Sequence, residues 1–333
     1  MNIYSHTDIK NLFIVGDIHG EFKQLFHKIK THSISKTDKD EQERYVDVDT
    51  LEKLESYLED MPSYISGEFY NYSYGIGVYL GKLQDCIIIV AGDCGFGFNK
   101  EEYYHQIFKK YHETLEKNNI HIYFVRGNHD DPSYFIDKKI DYEFIKTIPD
   151  YSIISVNDSN ILCVGGGLSI DRIWRKQQEV RINKYKKTIQ KKLYWENEMP
   201  IFSKEKIDEI NESGIKINIV VSHSSPHFAF PYKKDSLSYW AKLDKDIYID
   251  SENERNVLTS VYEFLSTNGH PLKSWYYGHF HCHNVSEKHK IKFYALNELG
   301  FAKVDLNNDE EENDFSLKDY FNSIDISDEE ENI

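Results

Sequence analysis

The sequence predicts an α/β fold whose functional side chains lie at one end of its strands. Short apolar runs of strand length recur along the 333-residue chain, and glycine or serine follows each run within two residues. Polar side chains come directly after these small residues. In α/β sheets, residues at the carboxyl ends of the strands build the functional site. The five apolar runs are 12–15, 86–90, 121–125, 217–221 and 275–277.

Helices are predicted where apolar residues repeat at intervals of three and four positions. The segment 21–30 has this spacing, with Phe22, Leu25, Phe26 and Ile29 on one face. Further helices are predicted at 100–117, 172–192 and 252–267, and further strands at 152–156, 161–164, 291–296 and 301–304. The alternation of strands and helices favours the α/β class over an all-α or an all-β fold.

The composition predicts one catalytic domain over residues 1–306 and an acidic tail over 307–333. The tail carries the acidic clusters 309–312 and 328–331 and too few apolar residues to bury, so we expect it to be disordered. Residues 31–85 separate the first two strand units and begin polar and acidic. We interpret them as an inserted subdomain or lid, and an elaborated crossover is the alternative.

Charge and composition exclude several classes of protein. The net charge of −16 and the pI of about 5.4 argue against bulk binding of nucleic acid, which needs a basic face. No apolar run is long enough to span a bilayer, and the N-terminus lacks the basic and apolar regions of a signal peptide. The four cysteines form no Cys-x-x-Cys pair and are typical of reduced thiols. These features predict a cytoplasmic protein without a membrane partner.

Eight polar residues at the strand ends form the candidate site. They are Asp17, His19, Asp93, Asn128, His129, His223, His279 and His281. Carboxylate oxygen and neutral imidazole suit Mn, Fe and Zn, and two such ions bridged by one carboxylate form a clamp for phosphoryl chemistry. Each motif alone is also ordinary turn chemistry, because Gly, Asn and Asp favour turns. Their occurrence in series, each after an apolar strand, favours the metal site.

This ordered series resembles the calcineurin-like metallophosphoesterases, both the bacterial and phage-type enzymes and the serine/threonine phosphatases. The motifs that carry the resemblance are 16–20 (GDIHG), 92–93 (GD), 127–130 (GNHD), 222–223 (SH) and 278–281 (GHFH). The resemblance covers about residues 10–305. It implies a four-layer α/β/β/α sandwich, in which two mixed sheets are flanked by helices and the site lies at the strand ends.

The resemblance also implies two metal positions that share Asp93. The first metal position would be formed by Asp17, His19 and His281. The second metal position would be formed by Asn128, His223 and His279. Mn²⁺ is the favoured ion at both, with Fe, Zn and Mg as alternatives. A hydroxide bridging the ions would attack phosphorus in line, and His129 would protonate the leaving-group oxygen or donate a hydrogen bond to it.

The chain departs from the serine/threonine phosphatases after Asp93. Those enzymes continue their second motif with an aspartate that orients the catalytic histidine and an arginine that grips phosphate, whereas this chain continues with the sequence CGFGF. A replacement is suggested by the segment 165–175, which resembles a Gly-Gly-x-x-Ser-x-Asp-x-x-Arg stretch of bacterial and phage enzymes. Arg172 or Arg175 could bind phosphate there, and Arg126 precedes Gly127 as it does in the phosphatases. The alternative is a tight turn followed by a solvated basic helix.

These observations predict a hydrolase of phosphate monoesters, with a phosphoprotein or a small phosphorylated molecule such as a nucleotide as substrate. A phosphodiesterase acting on cyclic or linear nucleotides is the alternative, and a non-catalytic binding module is disfavoured because the ligand set is intact. We also predict a contact between the acidic tail and the basic helix 172–192, with a solvated tail as the alternative. Truncation after Leu306 would contradict this contact if activity and its salt dependence stay unchanged.

Overall fold

The computed structural model describes residues 1–33, 83–185, 191–231 and 237–306. Its strands are β1 (Ile3–His6), β2 (Asn11–Val15), β3 (Cys86–Val90), β4 (Ile120–Phe124), β5 (Ile145–Thr147), β6 (Ser152–Val156), β7 (Ser159–Val164), β8 (Ile219–Ser222), β9 (Ser274–Tyr277), β10 (Asn284–Lys288), β11 (Ile291–Ala295) and β12 (Phe301–Val304). Its helices are α1 (Phe22–Ser33), α2 (Glu101–Asn118), α3 (Ser133–Ile136), α4 (Arg172–Tyr185), α5 (Lys204–Glu212), α6 (Leu237–Trp240) and α7 (Ile247–Thr267), with a 3₁₀ turn at His227–Ala229.

Two mixed sheets form the centre of the described fold. The first has the strand order β12-β2-β3-β4-β5, in which β2 to β5 are parallel and β12 is antiparallel to β2. The second has the order β1-β6-β7-β8-β9-β11-β10, with antiparallel pairs at β6-β7 and β10-β11. The connections between parallel strands bring several carboxyl ends to the same edge of each sheet.

The alternation of side chains along each strand explains why the sheets are layered. In β3, Ile88 and Val90 pack into a core shared with α1 and α2, whereas Ile87 and Ile89 pack into the core between the sheets. A third core lies between the second sheet and α7. Strands that bury both faces read as continuous apolar runs, as 86–90 does. The predicted four-layer sandwich is confirmed.

The predicted strands appear in the structure with ends shifted by at most two residues, but the sequence analysis missed three. The strands β1, β5 and β10 lie at the edges of their sheets. In β10 the side chains are half-buried or exposed, and the segment reads NVSEK. Strands β1 and β10 bury little apolar surface and so have no strong apolar pattern for the sequence to reveal, whereas β5 has only three residues.

The described helices differ from prediction at some of their ends, and the helices α3, α5 and α6 were not predicted. The helix predicted at 172–192 is described over Arg172–Tyr185, and residues 186–190 lie outside the described residues. Helix α7 begins at Ile247 rather than at 252. Helix α5 was missed, although the Ser203 hydroxyl accepts the Lys206 N–H as an N-cap. None of the helices in the described part of the chain combines the length and apolarity needed to cross a membrane.

Two predicted features lie outside the described residues. The insertion predicted at 31–85 is described only at its two ends, and the acidic tail 307–333 is not described. The domain limits and the contact between the tail and the basic helix therefore stay predictions.

Candidate metal centre

The structure brings all eight predicted polar residues to one place, where the two sheets meet. Asp17 and His19 follow β2, Asp93 follows β3, and Asn128 and His129 follow β4. These five residues come from the first sheet. The second sheet contributes the remaining three, since His223 follows β8, and His279 and His281 follow β9. Neither sheet alone would assemble the cluster.

The glycines of these motifs allow the loops to approach each other closely. A Cβ atom on Gly127 would lie 2.0 Å from the Asp93 backbone nitrogen, and one on Gly278 would lie 2.0 Å from Asp17 Oδ1. Any side chain at either position would therefore displace a predicted metal ligand. The small residues after the strands are required by the site and do not merely end the strands.

Four of the predicted ligands have a left-handed backbone conformation, which is uncommon for residues other than glycine. The φ angles are 44° for His19, 46° for Asp93, 66° for His279 and 45° for His281. Such conformations cost free energy and persist only where the surrounding structure imposes them, commonly at functional sites. The rest of the fold therefore compensates for the free-energy cost of these conformations, which direct the four side chains toward a common centre.

The first metal position is a compact group of carboxylates and imidazoles. One ligand atom each from Asp17, His19, Asp93 and His281 lie within 4.8 Å of one another. His281 Nε2 is 3.0 Å from Asp17 Oδ2 and 3.0 Å from His19 Nε2. The hydrogen bond with Asp17 raises the pKa of His281. The donor atoms and their spacing fit a divalent cation.

The second metal position brings three lone-pair donors together. His223 Nε2 lies 2.8 Å from Asn128 Oδ1, and His279 Nδ1 lies 3.0 Å from the same oxygen and 3.2 Å from His223 Nε2. The Nδ1 atom of His223 is 2.8 Å from the Ala91 carbonyl oxygen, which can only accept, so a neutral His223 presents an unprotonated Nε2. Such a group requires a proton or a cation among its members.

Charge considerations lead to the same conclusion. Burial alone would lower the pKa of His223, but Asp93 and Asp17 raise it to about 10. Burial likewise would raise the pKa of Asp93, but the imidazoles of His129 and His223 hold it well below its usual range. The buried carboxylates thus demand positive charge beside them. The chemistry of the donor set fits divalent metal ions at both positions.

Asp93 lies between the two metal positions. Its Oδ1 atom is 3.3 Å from His223 Nε2, and its Oδ2 atom is 3.8 Å from His19 Nδ1. The backbone N–H of His129 also donates to Oδ1, at 2.8 Å. The carboxylate of Asp93 thus contacts a side chain of each position. This placement suits the bridging role that the sequence predicts for it.

His129 and Arg175 form a pair beside the carboxylate of Asp93. His129 Nε2 lies 3.7 Å from Asp93 Oδ2 and accepts a hydrogen bond from an Arg175 guanidinium nitrogen at 3.1 Å. Burial lowers the pKa of His129 to about 4, so the imidazole is neutral near pH 7. Arg175 Nε in turn donates to Asp171 Oδ1 at 2.7 Å, which fixes the guanidinium plane.

The other two predicted arginines have different surroundings. Arg126 is 5% exposed, and its guanidinium donates to Asp150 and to the carbonyl oxygens of residues 197, 198 and 199. Arg172 forms ion pairs with Asp244 and Asp250. Among the described contacts of these two guanidinium groups, none is with a predicted metal ligand. Of the three, the structure brings only Arg175 against the site.

Four acidic residues around the site were missed by sequence reasoning. Asp130 accepts four backbone N–H groups from the loops that carry Asp93 and Asn128. Glu298 Oε1 lies 3.4 Å from His19 Nε2 and 3.3 Å from His281 Nδ1. The position directly after His129 could have suggested Asp130. No local signal distinguishes Glu298.

The remaining two are the buried residues Glu198 and Glu254. Glu198 accepts the Ser169 hydroxyl, and Glu254 Oε1 lies 3.4 Å from His279 Nε2. Burial raises the pKa of Glu198 to about 8 and that of Glu254 to about 7. Glu198 lies in the acidic stretch 194–198 after α4, and this stretch is the only feature of the sequence that could have indicated it. Glu254 lies within α7 among ordinary helical residues.

One comparison with known proteins, the family match, agrees with this geometry. A family model described as calcineurin-like phosphoesterase matches residues 10–283. Among solved structures, phosphopantetheinyl hydrolase from Mycobacterium tuberculosis has a TM-score of 0.38 and 12% identity, over 90% of this chain and 96% of that one. A mutant cold-active protein tyrosine phosphatase has a TM-score of 0.33 and 11% identity, over 92% of this chain and 78% of that one. No curated protein matches the chain.

The family match is the comparison that bears on function, because likenesses at these TM-scores carry no argument. The matched range includes every predicted metal ligand from Asp17 to His281 and most of both sheets. The predicted family and the predicted class of enzyme are confirmed. The chain belongs to the calcineurin-like phosphoesterases, and it is a hydrolase that acts on phosphate ester bonds.

Proposed function

We propose that the protein hydrolyses a phosphate monoester with two divalent ions, of which Mn²⁺ is the first candidate. The observation that carries the proposal is the placement of Asp93 between the two metal positions, with His129 beside its carboxylate and Arg175 bonded to His129. When bound, two such ions activate water and neutralise charge on the phosphoryl oxygens. Seven side chains would hold them: Asp17, His19, Asp93, Asn128, His223, His279 and His281.

The remaining roles fall to His129 and Arg175. Arg175 can bind a terminal phosphoryl oxygen, because Asp171 holds its guanidinium plane while a second nitrogen reaches His129. Because His129 is neutral and its Nε2 atom accepts from Arg175, its ring proton is on Nδ1, from which it can donate a hydrogen bond to the leaving-group oxygen. Our proposal retains Arg175 alone as the substrate-binding arginine, since Arg126 and Arg172 are engaged by protein acceptors.

We expect a small phosphorylated molecule or a phosphoprotein as the substrate, in the cytoplasm. Support for this location comes from the cysteines, because all four are free thiols and three of them are buried. Arg175 and the positions for two cations concentrate positive charge where a phosphate dianion would lie. A monoester carries that dianion, whereas a diester carries one charge, so this electrostatic match favours the monoester.

The test is the hydrolysis of p-nitrophenyl phosphate and of bis-p-nitrophenyl phosphate in parallel. Protein treated with chelator is resupplied with Mn²⁺, and we expect turnover of the monoester that requires the added ion. Turnover of the diester in preference to the monoester would replace our proposal with a phosphodiesterase. Absence of metal-dependent turnover of both esters, with no ion bound, would contradict the proposed metal centre.

The same assay tests the role of Arg175. We expect Arg175→Met to lower kcat/KM for the monoester by about 10- to 100-fold, the range expected when one hydrogen bond to a charged group is lost. The matched control is Arg181→Met on the same helix, whose side chain is exposed. An equal effect of the two substitutions would remove Arg175 from the site.

A further inference from the structure

Three buried side chains behind the second metal position are linked by hydrogen bonds. The Ser169 hydroxyl lies between two partners, since it donates to Glu198 Oε2 at 2.5 Å and accepts from Asn128 Nδ2 at 2.9 Å. All three residues are buried, with relative exposures of 2% for Ser169, 0% for Glu198 and 2% for Asn128. Water therefore does not compete for these hydrogen bonds, and each partner constrains the next.

The chemistry of these groups determines which of them donates and which accepts in each hydrogen bond. Burial raises the pKa of Glu198 to about 8. Above that pH the carboxylate is ionised and has no proton to donate, and its Oε1 atom accepts the backbone N–H of Ser169 at 3.0 Å. The Ser169 hydroxyl must then give its proton to Oε2 and can only accept from its other neighbour. An amide presents either its oxygen or its NH₂ group, so the atom of Asn128 that faces Ser169 must be the NH₂ nitrogen.

This direction decides which atom of Asn128 faces the metal position. With Nδ2 bound to Ser169, the amide oxygen points at His223 Nε2 and His279 Nδ1. Only the oxygen of an amide can act as a metal ligand, because the NH₂ nitrogen has no available lone pair. A flipped amide would present two protons to the cation and would repel it.

Glu198 itself is held in place by the rest of the fold. Arg126 donates to the Glu198 carbonyl at 2.8 Å and to the carbonyl oxygens of residues 197 and 199. Gly167 N–H also donates to the Glu198 carbonyl, at 3.1 Å. Arg126 thereby ties the acidic stretch to the strand end that carries Asn128. The carboxylate of Glu198 reaches Ser169 from a fixed backbone.

We propose that Glu198 and Ser169 are positioning residues, which orient the Asn128 amide so that its oxygen binds the ion at the second metal position. The inference rests on the proposed function, because it takes Asn128 as a metal ligand. Neither residue touches substrate or the reacting atoms. The expected effect is therefore on the binding of one ion rather than on chemistry alone, and a general loss of stability would affect both ions.

The test measures Mn²⁺ binding to chelator-treated protein by isothermal titration calorimetry, at a pH above the raised Glu198 pKa of about 8. We expect Ser169→Ala to lower the affinity for one of the two ions by about 10- to 100-fold, the usual cost of losing a group that orients a metal ligand. The other ion should keep its affinity to within about twofold. Ser169→Thr, which keeps the hydroxyl, should bind both ions with the affinities of the wild type.

Two further variants make the result interpretable. Ser152→Ala is the matched control, because Ser152 is equally buried and its hydroxyl donates to the Pro149 carbonyl instead. Asn128→Ala should itself lower the affinity for one ion, and adding Ser169→Ala to that variant should lower this affinity little further. Unchanged binding of both ions in Ser169→Ala, with the wild type binding two, would overturn this inference alone. A wild type that binds no Mn²⁺ would overturn the proposed function as well.

Discussion

Replacement of Asp93 by asparagine is expected to lower kcat/KM by far more than about 100-fold, since the loss of groups that merely orient ligands already costs 10- to 100-fold. Asp93 contacts a residue of each metal position, with Oδ1 near His223 and Oδ2 near His19. Asparagine removes the negative charge and one oxygen from the point that the two positions share. We therefore expect the variant to bind fewer ions as well as to lose activity.

The fold should tolerate this change. Asparagine has the shape of aspartate, and its oxygen can still accept the His129 backbone N–H that Asp93 Oδ1 accepts at 2.8 Å. Metal content by mass spectrometry and kcat/KM for p-nitrophenyl phosphate are the two measurements, with the far-ultraviolet circular dichroism spectrum as a check of folding. A folded variant that keeps both ions and most of its activity would refute the bridging role.

Replacement of Asp130 by alanine should produce the largest loss of stability. Its carboxylate is fully buried and accepts N–H groups of Cys94, Gly95 and Phe96 from one loop and of Gly127 from another, at 2.7–3.0 Å. Each buried donor left without a partner costs about 1–3 kcal/mol. Because the loops can relax in part, we expect a loss of about 3–5 kcal/mol, which is the range of severe single substitutions.

Urea unfolding of the metal-free protein measures this loss without a contribution from bound ions. Asp137→Ala is the matched control, because Asp137 lies seven positions along the chain with an exposed side chain and should change stability by no more than about 0.5 kcal/mol. The two loops that Asp130 joins carry Asp93 and Asn128, so the variant should also bind metal more weakly. Equal stability of the two variants would remove Asp130 as the tie between these loops.

Much of the metal centre could be predicted from the sequence because its determinants are local. An apolar run such as 86–90, followed by glycine and aspartate, specifies a buried strand and the side chain at its end without reference to any other element. Five such units place eight side chains at strand ends, and the structure joins them in one cluster. The edge strands β1 and β10 escaped prediction because they bury little and need no apolar pattern, and β5 escaped it because it has only three residues.

The three predicted arginines demonstrate the limit of local reasoning. Each lies in or beside a glycine-containing loop, and the sequence offers no ground for separating them. The structure ties Arg126 to the backbone at 197–199 and Arg172 to Asp244 and Asp250, whereas Arg175 reaches His129. Which acceptors surround a guanidinium depends on segments as far as 78 positions away, the separation of Arg172 and Asp250, and their approach is a property of the packed fold.

The sequence by itself determined the α/β class and the residues at the strand ends, because strand pattern and loop chemistry are encoded within short segments. The family and its sandwich of two sheets followed from the resemblance that those residues carry. The tertiary structure alone decided what surrounds those residues. Glu254 from the middle of α7, Glu198 from the loop after α4 and Asp130 behind the loops reach the centre through contacts between distant segments. A buried carboxylate meets its partner only when the layers of the fold pack together, so no local sequence pattern predicts the contact.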